Sequence, residues 1–400
     1  MVQVAIMGYG TIGSGVAKVL DMNKDLITRR AGYPIQVKYI LDLREFPGDV
    51  NEDKIVHDFN TLVEDPEVQI VVETMGGTGA AYHFVKEALE AGKHVVTSNK
   101  ALVAKYGPEL MALAKEKNVS FLFEASVGGG IPIIRTLNNA LTGDAFEEVT
   151  GILNGTTNFI MTEMSEKGAK YEDVLKEAQA LGYAEADPTD DVEGYDAGRK
   201  IAILTSLISG KFVPFEKIHI EGISKITVED MKYAHALHRN IKLLAMSKKE
   251  GDTYGCIVAP FMLDETHPLQ SVNGVFNAVF VVGNALGDSM YYGSGAGSIP
   301  TASAVVGDIV DVAKNLDRNL PFIWTDQELK LYDFGQMENR FFVRVKNETG
   351  IDQIEKIFGN VEIIDELEGE YGFVTALMKE SEMEEKLADL NGVITRIRWN

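Results

Sequence analysis

The sequence is poor in cysteine and in positive charge, and each shortage excludes a class of protein. Cys256 is the one cysteine in 400 residues, so an internal disulfide and a thiolate metal cluster are both excluded. Lys and Arg together number 38 against 60 Asp and Glu, which gives a formal net charge of −22. This excess repels phosphate backbones and anionic lipid surfaces, so we expect neither a nucleic-acid partner nor a membrane.

Long apolar runs are missing as well. The nearest candidate, residues 275–286, is interrupted by Asn277, Gly283 and Asn284 and falls short of the roughly 18 apolar residues that span a bilayer. The N-terminal residues show no basic region followed by a small-residue cleavage site. Together with the lone cysteine, these features indicate a reducing compartment, and we expect the protein in the cytoplasm.

What the sequence does contain is the balance of a soluble globular protein, with 45% hydrophobic and 24% charged residues. In the first third, short apolar runs that suit buried strands alternate with apolar residues at helical spacing. The strand-like runs are residues 2–7, 36–41, 69–73, 94–97 and 118–123, and the helical ones are 13–20, 82–89 and 108–117. This alternation predicts an α/β fold with a Rossmann-type, doubly wound parallel sheet.

The remainder of the chain has a different pattern. Residues 149–153 predict a strand, 171–181 and 195–208 predict helices, and alternating stretches such as 217–223 and 255–260 predict a mixed sheet. Residues 341–399 follow a βαββαβ order, which is ferredoxin-like. We therefore predict a dinucleotide-binding domain over residues 1–130 (completed by about 300–320), an α+β domain over 131–299 and a small ferredoxin-like domain over 340–400.

A glycine loop directly follows the first predicted strand. The run Gly8-Tyr9-Gly10-Thr11-Ile12-Gly13 fits the G-x-G-x-x-G pattern. Gly8 allows a tight turn, Gly10 lets backbone N–H groups approach a pyrophosphate, and Gly13 lets the next helix pack close to the strand. A merely structural turn is the alternative, but the position between a strand and a helix favours dinucleotide binding.

The end of the second predicted strand leaves the choice of nucleotide open. Asp42 would accept a hydrogen bond from the ribose 2′-OH of NAD, whereas Arg44 would pair with the 2′-phosphate of NADP. Both side chains could instead lie on a solvated loop. The two signals conflict, with a slight preference for NAD.

Further motifs give the chain a specific resemblance to the homoserine dehydrogenase family, and they occur in the family's order over residues 1 to about 320. The motifs are Glu73-Thr74-Met75-Gly76-Gly77, Thr97-Ser98-Asn99-Lys100, residues 123–132 (FEASVGGGIP), Asn154-Gly155-Thr156-Thr157-Asn158, residues 181–200 (LGYAEADPTDDVEGYDAGRK) and the glycine-rich segment 293–301. The resemblance implies an NAD(P)-dependent oxidoreductase that reversibly reduces L-aspartate 4-semialdehyde to L-homoserine. That reaction belongs to threonine, methionine and isoleucine biosynthesis.

The resemblance also implies roles for individual residues. It places the catalytic lysine at Lys200, its partner aspartate at Asp196, and the lysine of the Ser-Asn-Lys turn at Lys100. Substrate binding would fall to Glu185, Asp190, Asp191, Gly155 and Thr156. Cofactor binding would fall to Gly8, Gly10, Thr11, Ile12, Gly13, Asp42, Arg44, Met75, Gly76, Ser98, Lys100 and Gly297. A monovalent cation, Na+ or K+, would be held mainly by the backbone carbonyls of Glu124, Val127, Gly129 and Ile131. The family further suggests a homodimer, or a higher homo-oligomer, built through the middle domain.

The chemistry of the implied reaction suits these residue types. A hydride that reaches an aldehyde carbon leaves negative charge on oxygen, so a proton donor or a cation is needed there. Lys200 can supply either, and Asp196 lies four residues earlier on the same predicted helix face. Taken alone, this spacing suits an exposed i,i+4 ion pair that contributes only a few tenths of a kcal/mol. The surrounding motif favours a site instead.

The substrate's ammonium group needs carboxylates, and Glu185, Asp190 and Asp191 precede the helix of Asp196. Alone, such an acidic run would be a solvated helix N-terminus. Lys100 follows a strand of the parallel sheet, at the edge where ligands bind in open α/β folds, although an ordinary exposed lysine would look the same.

The C-terminal residues from about 340 to 400 resemble an ACT domain, a module that often binds a regulatory amino acid. Threonine is the effector that the family implies, and a structural or dimerising role is an equal alternative. Two other classes of protein stay open for the whole chain. One is a different NAD(P)-dependent dehydrogenase of a small aldehyde or hydroxy acid, and the other is a non-enzymatic nucleotide or amino-acid sensor.

Overall fold

The computed structural model describes residues 1–400 and divides the chain into two compact units. Unit 1 comprises Met1–Gly143, Ala202–Pro214 and Gly293–Leu329, and unit 2 comprises Asp144–Ile201, Phe215–Tyr292 and Lys330–Asn400. No helix is both long enough and apolar enough to cross a bilayer.

Unit 1 is built on a six-stranded parallel sheet in the order β3-β2-β1-β4-β5-β6. Its strands are Val2–Met7 (β1), Ile35–Leu41 (β2), Ile55–Val56 (β3), Val68–Glu73 (β4), His94–Thr97 (β5) and Phe121–Leu122 (β6). Its helices are Thr11–Met22 (α1), Lys24–Ala31 (α2), Asn60–Val63 (α3), Gly79–Glu90 (α4), Lys100–Glu116 (α5), Ile133–Arg135 (α6, followed by a π-helical turn at Thr136–Ala140) and Ser298–Ala313 (α12). The central strands β1 and β4 are buried along most of their length, as is usual for parallel strands with helices on both faces of the sheet.

Unit 2 contains the second sheet, which is mixed and has eleven strands. Its first part consists of Phe146–Ile152 (β7), His219–Ile220 (β8), Arg239–Glu250 (β9), Thr253–Asp264 (β10), Phe276–Gly283 (β11) and Gly287–Ser294 (β12), with the helices Gly155–Lys167 (α7), Tyr171–Ala180 (α8), Thr189–Val192 (α9), Tyr195–Ser209 (α10) and Val228–Ala236 (α11). β9 and β10 form a long antiparallel hairpin that pairs residues 239–250 with 253–264. The helix α10 belongs to unit 2 as far as Ile201.

The C-terminal residues continue this second sheet. They form Glu338–Lys346 (β13), Ile351–Phe358 (α13), Ile363–Ile364 (β14), Glu370–Val374 (β15), Met378–Lys379 (β16), Glu380–Ala388 (α14) and Val393–Trp399 (β17). The strands follow one another in the sheet in the order β17-β13-β15-β14. They contribute to a hydrophobic core that includes Phe341, Val343 and Phe373. β17 also pairs in parallel with β10, at Phe261 with Arg398 and Met262 with Trp399, so the tail is part of the sheet of unit 2.

The predicted fold class is confirmed, since a parallel Rossmann-type sheet is combined with a second, mixed sheet. Several element boundaries differ from the predicted ones. The polar stretch 154–158, which follows the predicted strand 149–153, forms the cap and the first turn of α7, and the Asn154 side chain accepts the Thr157 N–H. The helix predicted from residue 108 begins at Lys100, and Pro108 lies inside it. Of the alternating residues 217–223, only His219 and Ile220 form a strand.

Candidate active site

The glycine loop of unit 1 has the geometry that its pattern predicts. Gly8 has a φ of +92°, a left-handed conformation that L-residues rarely adopt. A Cβ atom on Gly13 would lie 1.9 Å from the Gly8 carbonyl oxygen, so only glycine allows α1 to begin this close to β1. A Cβ on Gly10 would meet no atom within 4 Å, which leaves open space beside the first turn of α1, where Thr11 and Ile12 lie. The N-terminus of α1 therefore offers backbone N–H groups to an anion.

Other residues that the sequence assigned to the cofactor surround this loop. A Cβ on Gly8 would meet Met75 at 3.1 Å, and Gly297 caps α12, whose first residue Ser298 donates to the Thr11 carbonyl at 2.7 Å. Asp42 accepts the Tyr9 N–H at 2.8 Å and an Arg44 N–H at 2.9 Å. The Arg44 guanidinium holds the pKa of Asp42 well below its usual range. The loop thus meets an ionised carboxylate at the end of β2.

Glu73 is a functional candidate that the sequence analysis placed in a family motif but to which it assigned no role. Its carboxylate is fully buried and accepts the N–H groups of Met75 and Gly76 and the Thr97 hydroxyl. Burial raises the pKa of Glu73. The side chain joins the turn after β4 to the turn after β5, where Ser98 and Lys100 stand, and Lys100 is the first residue of α5. These two turns lie at the carboxyl edge of the parallel sheet.

In unit 2, a cluster of charged side chains gathers around the start of α7. The Lys200 ammonium donates to the Asp196 carboxylate and to the Leu153 carbonyl, each at 2.7 Å. The Asn154 amide donates to Asp196 at 2.9 Å and to Asp191 at 2.7 Å. Asn154 is the second motif residue to which the sequence analysis assigned no role, although its place before Gly155 suits a helix cap.

The burial of Asp196 and Lys200 distinguishes this cluster from an ordinary ion pair on a helix surface. Asp196 is 1% exposed and Lys200 is 9% exposed. An exposed pair at this spacing contributes a few tenths of a kcal/mol, but a desolvated pair responds strongly to the loss of either partner. The Lys200 amine is therefore held in place by fixed acceptors inside the protein.

The remaining predicted substrate residues lie near this cluster or beside it. Gly155 and Thr156 form the first turn of α7, and the Thr156 hydroxyl donates to the Tyr183 carbonyl at 2.7 Å. Glu185 is exposed. Asp190 is exposed as well and accepts from Arg199 at 2.6 Å, so its charge is already paired. Of the three predicted carboxylates, Asp191 is thus the one that joins the Asp196 and Lys200 cluster through Asn154.

The predicted cation loop runs from Glu124 to Ile131 in unit 1. The Glu124 carboxylate accepts the N–H groups of Ile134 and Arg135, so it is committed to the start of α6. Burial, together with the nearby Asp308, raises the pKa of Glu124 to about 7. A cation here would take backbone carbonyls, which are hard oxygen donors that suit alkali-metal ions. One of the four predicted donors, the Ile131 carbonyl, already accepts the Ile133 N–H at 2.8 Å.

Comparison with known proteins agrees with this geometry. The family model described as "Homoserine dehydrogenase" matches residues 132–310, and "Homoserine dehydrogenase, NAD binding domain" matches residues 8–124. The homoserine dehydrogenase of Bacillus subtilis (strain 168) is 42% identical over 366 residues, which is 89% of this chain and 84% of that protein. The crystal structure of a homoserine dehydrogenase from Thiobacillus denitrificans has a TM-score of 0.92 at 38% identity and covers 100% of this chain and 98% of its own. A hyperthermophilic archaeal homoserine dehydrogenase in complex with NADPH has a TM-score of 0.68 at 31% identity and covers 80% of this chain and 99% of its own.

A parallel sheet with a glycine loop after its first strand, matched by an NAD-binding family domain, defines an NAD(P)-dependent oxidoreductase. Sequence identity above 40% to a homoserine dehydrogenase, over most of the chain, identifies the family within this class of oxidoreductase. The chain belongs to the homoserine dehydrogenase family.

Proposed function

We propose that this chain reversibly reduces L-aspartate 4-semialdehyde to L-homoserine with Lys200 as the proton donor. The observation that carries this role is the buried ammonium group, held by Asp196 and the Leu153 carbonyl at 2.7 Å each. Asp196 and Lys100 complete the proposed catalytic set. The nicotinamide, when bound, supplies the hydride.

The residues around Lys200 account for the proton transfer. Reduction turns the aldehyde oxygen into an alkoxide, and a fixed cation stabilises that charge as it forms. Lys200 then gives a proton to this oxygen, and in the reverse direction it receives the proton of the homoserine hydroxyl. Asp196 orients the amine, and Asn154 fixes the Asp196 carboxylate.

Recognition of the substrate rests on its own charges. We assign the substrate's ammonium group to the carboxylates of Glu185 and Asp191, with Asp190 as a supporting charge held by Arg199. The first turn of α7, at Gly155 and Thr156, would contribute a backbone N–H and a hydroxyl. These assignments follow the family motif, and the proximity of Asp191 to the Lys200 cluster supports them.

For the cofactor, we propose that NAD(P) lies on the glycine loop, with Met75, Gly76, Ser98 and Gly297 around it. The ionised Asp42 supports NAD, and the adjacent Arg44 supports NADP, so both dinucleotides belong in the first assay. The loop of Glu124, Val127, Gly129 and Ile131 is proposed to bind Na+ or K+ through backbone carbonyls.

We further propose three domains with the predicted limits of 1–130, 131–299 and 340–400, a homodimer or higher oligomer, and a cytoplasmic location. The C-terminal segment is proposed to be ACT-like, because its strand order β17-β13-β15-β14 is that of a βαββαβ module. Threonine is the effector to test. Unchanged activity across a threonine titration would remove the regulatory part of this proposal.

The central experiment follows NADH and NADPH oxidation with aspartate semialdehyde, for the wild type and for Lys200→Ala. We expect the variant to lose at least about tenfold in kcat, the low side of what acid–base groups contribute. Lys176→Ala is the matched control, because the Lys176 side chain is 76% exposed and lies on α8. Full activity of Lys200→Ala would refute the proposed role of Lys200.

A further inference from the structure

Glu221 is the centre of an ion cluster that is separate from the Lys200 site. It accepts hydrogen bonds from Arg396 at 3.1 Å and from Arg398 at 2.8 and 3.0 Å, and His219 lies 2.7 Å from the same carboxylate. Both arginines are on β17, the last strand of the chain. Burial alone would raise the pKa of Glu221, but the hydrogen bonds from His219 and Arg398 hold it below its usual range.

The two arginines are themselves fixed by the C-terminal segment. Arg398 is 1% exposed and also donates to Glu380, the first residue of α14, at 2.7 and 2.9 Å. Arg396 donates to Glu384 on the same helix at 2.7 Å. Glu221 thus joins the middle part of unit 2 to β17 and α14 through two guanidinium groups.

Residues 219–223 form a short strap that runs from this cluster to the helices of the active site. The strap pairs with β10, where the Glu221 N–H donates to the Val258 carbonyl at 2.7 Å. Two residues later, the Ile223 N–H donates to the Val192 carbonyl at 2.8 Å, at the end of α9. A Cβ on Gly222 would lie 2.3 Å from that same carbonyl oxygen, so the strap and the end of α9 are in direct backbone contact.

The strap also contacts α10 at Gly198, on the side of the helix away from the face that Asp196 and Lys200 share. A Cβ on Gly198 would lie 2.5 Å from the Cδ1 atom of Ile220, which shows how closely the strap packs on this helix. Gly198 lies between Asp196 and Lys200 in the sequence of α10. The helix α9, which carries Asp191, and the helix α10 therefore both pack against this strap, at Val192 and at Gly198.

We propose that Glu221 is a positioning residue that fixes the strap and thereby the placement of Asp191, Asp196 and Lys200. This inference rests on the proposed role of Lys200. We expect this positioning to depend on the negative charge of Glu221, because Arg396 and Arg398 both donate to its carboxylate. A neutral side chain would leave the two guanidinium groups with one anionic partner fewer. The C-terminal segment acts on the site through this contact and needs no bound effector to do so.

The test compares Glu221→Gln with Asp230→Asn as its matched control. Asp230 is fully buried and binds Arg344 of β13 at 2.7 Å, so it joins the same C-terminal segment to α11 rather than to the strap. We expect Glu221→Gln to lower kcat about tenfold and to shift the pH profile of kcat, with the KM for NADH or NADPH within twofold. Asp230→Asn should keep kcat within twofold. Equal effects of the two variants, or none from Glu221→Gln, would overturn the proposal.

A second set of variants does not depend on how Glu221→Gln folds. Gly198→Ala places a methyl group against the Ile220 Cδ1 atom and should lower kcat, and Ile220→Val removes that atom and should restore activity in the double variant. Failure of the double variant to recover would contradict the strap contact.

Hydrogen–deuterium exchange keeps this proposal distinct from the proposed function. The rate of amide hydrogen exchange in residues 189–201 should rise in Glu221→Gln and stay at the wild-type level in Asp230→Asn. This measurement does not depend on which substrate the enzyme uses. If the wild type did not turn over semialdehyde but exchange rose as expected, the proposed function would fail and the strap would stand. Unchanged exchange in Glu221→Gln, with an active wild type, would remove the strap alone.

Discussion

Replacing Asn154 by serine separates its two roles at the active site. As a helix cap, its Oδ1 atom accepts the Thr157 N–H at 2.9 Å, and a serine hydroxyl can do the same. As a donor, its amide binds Asp191 at 2.7 Å and Asp196 at 2.9 Å, and serine cannot replace both bonds. Asn154→Ser therefore keeps the start of α7 and removes the link between the two carboxylates.

The expected loss follows from these bonds. A hydrogen bond to a charged group contributes about 1.5–3 kcal/mol, and about 1.4 kcal/mol corresponds to a tenfold change in rate. If the bond to Asp196 is the one that orients Lys200, kcat should fall by about ten- to a hundredfold. Asn154→Ala should show the same kcat but should also lose about 1 kcal/mol of stability, because alanine does not cap.

The assay is steady-state reduction of aspartate semialdehyde at saturating NADH or NADPH, with the urea unfolding midpoint measured for each variant. The informative pattern is equal kcat in the serine and alanine variants, with a lower midpoint in the alanine variant alone. A serine variant that kept kcat within twofold of the wild type would show that Asn154 acts only as a cap, and that Asp196 orients Lys200 without it.

Three other predictions concern the cofactor loop and a buried lysine. Gly10→Ala should fold with an unchanged thermal midpoint but bind NADH or NADPH about tenfold more weakly. Gly13→Ala should lower the thermal midpoint itself, because its Cβ would lie 1.9 Å from the Gly8 carbonyl oxygen. Calorimetry measures the midpoints, and a binding titration measures the affinity for the dinucleotide. Asp42→Ser should raise the ratio of kcat/KM with NADPH to kcat/KM with NADH about tenfold or more, since it replaces a charged acceptor for the 2′-OH with a shorter, neutral one and removes a charge that repels a 2′-phosphate. An unchanged ratio would exclude Asp42 from nucleotide choice. Burial lowers the pKa of Lys242 from 10.5 to about 8. Between these two pH values the unfolded chain still holds a proton that the folded chain has released. The free energy of unfolding of the wild type should therefore increase by about 3 kcal/mol as pH rises through this window. Lys242→Met lacks this contribution, and its urea midpoint relative to the wild type should fall between about pH 7.5 and pH 10; a constant difference would contradict the assignment.

The parallel sheet was predictable because its signals are local. The strands β1, β4 and β5 are short apolar runs, and each is followed by a helix with its own periodicity. The glycine loop was predictable for the same reason, since its three glycines satisfy demands set within six residues. The start of α5 was missed because a proline suits the first turn of a helix, which pointed to Pro108. The true cap is Asn99, whose side chain accepts the Leu102 N–H.

The Lys200 cluster was predictable only in part. The four-residue spacing to Asp196 indicates a shared helix face, but spacing does not show whether that face meets solvent or the interior. The deciding quantity is burial, and it depends on Asn154 and Leu153, which are more than forty residues away in the sequence. The family motif supplied what the spacing lacked, and it did not identify Asn154 as the residue that holds the carboxylates.

The strand β17 shows that a charge pattern along the sequence does not reveal burial when the oppositely charged partner lies far away in the sequence. In Thr395-Arg396-Ile397-Arg398, the arginines alternate with other residues as they would on a strand with one solvated face. Arg398 is nevertheless almost fully buried, because Glu221 and Glu380 supply carboxylates from two other elements. A buried arginine with two anionic partners is costly to leave unpaired, so this strand requires its partners to be in place when it docks. The C-terminal strand, the helix α9 and the helix α10 as far as Ile201 all belong to unit 2. The proposed effect of the tail on catalysis can therefore be tested without any ligand of the tail.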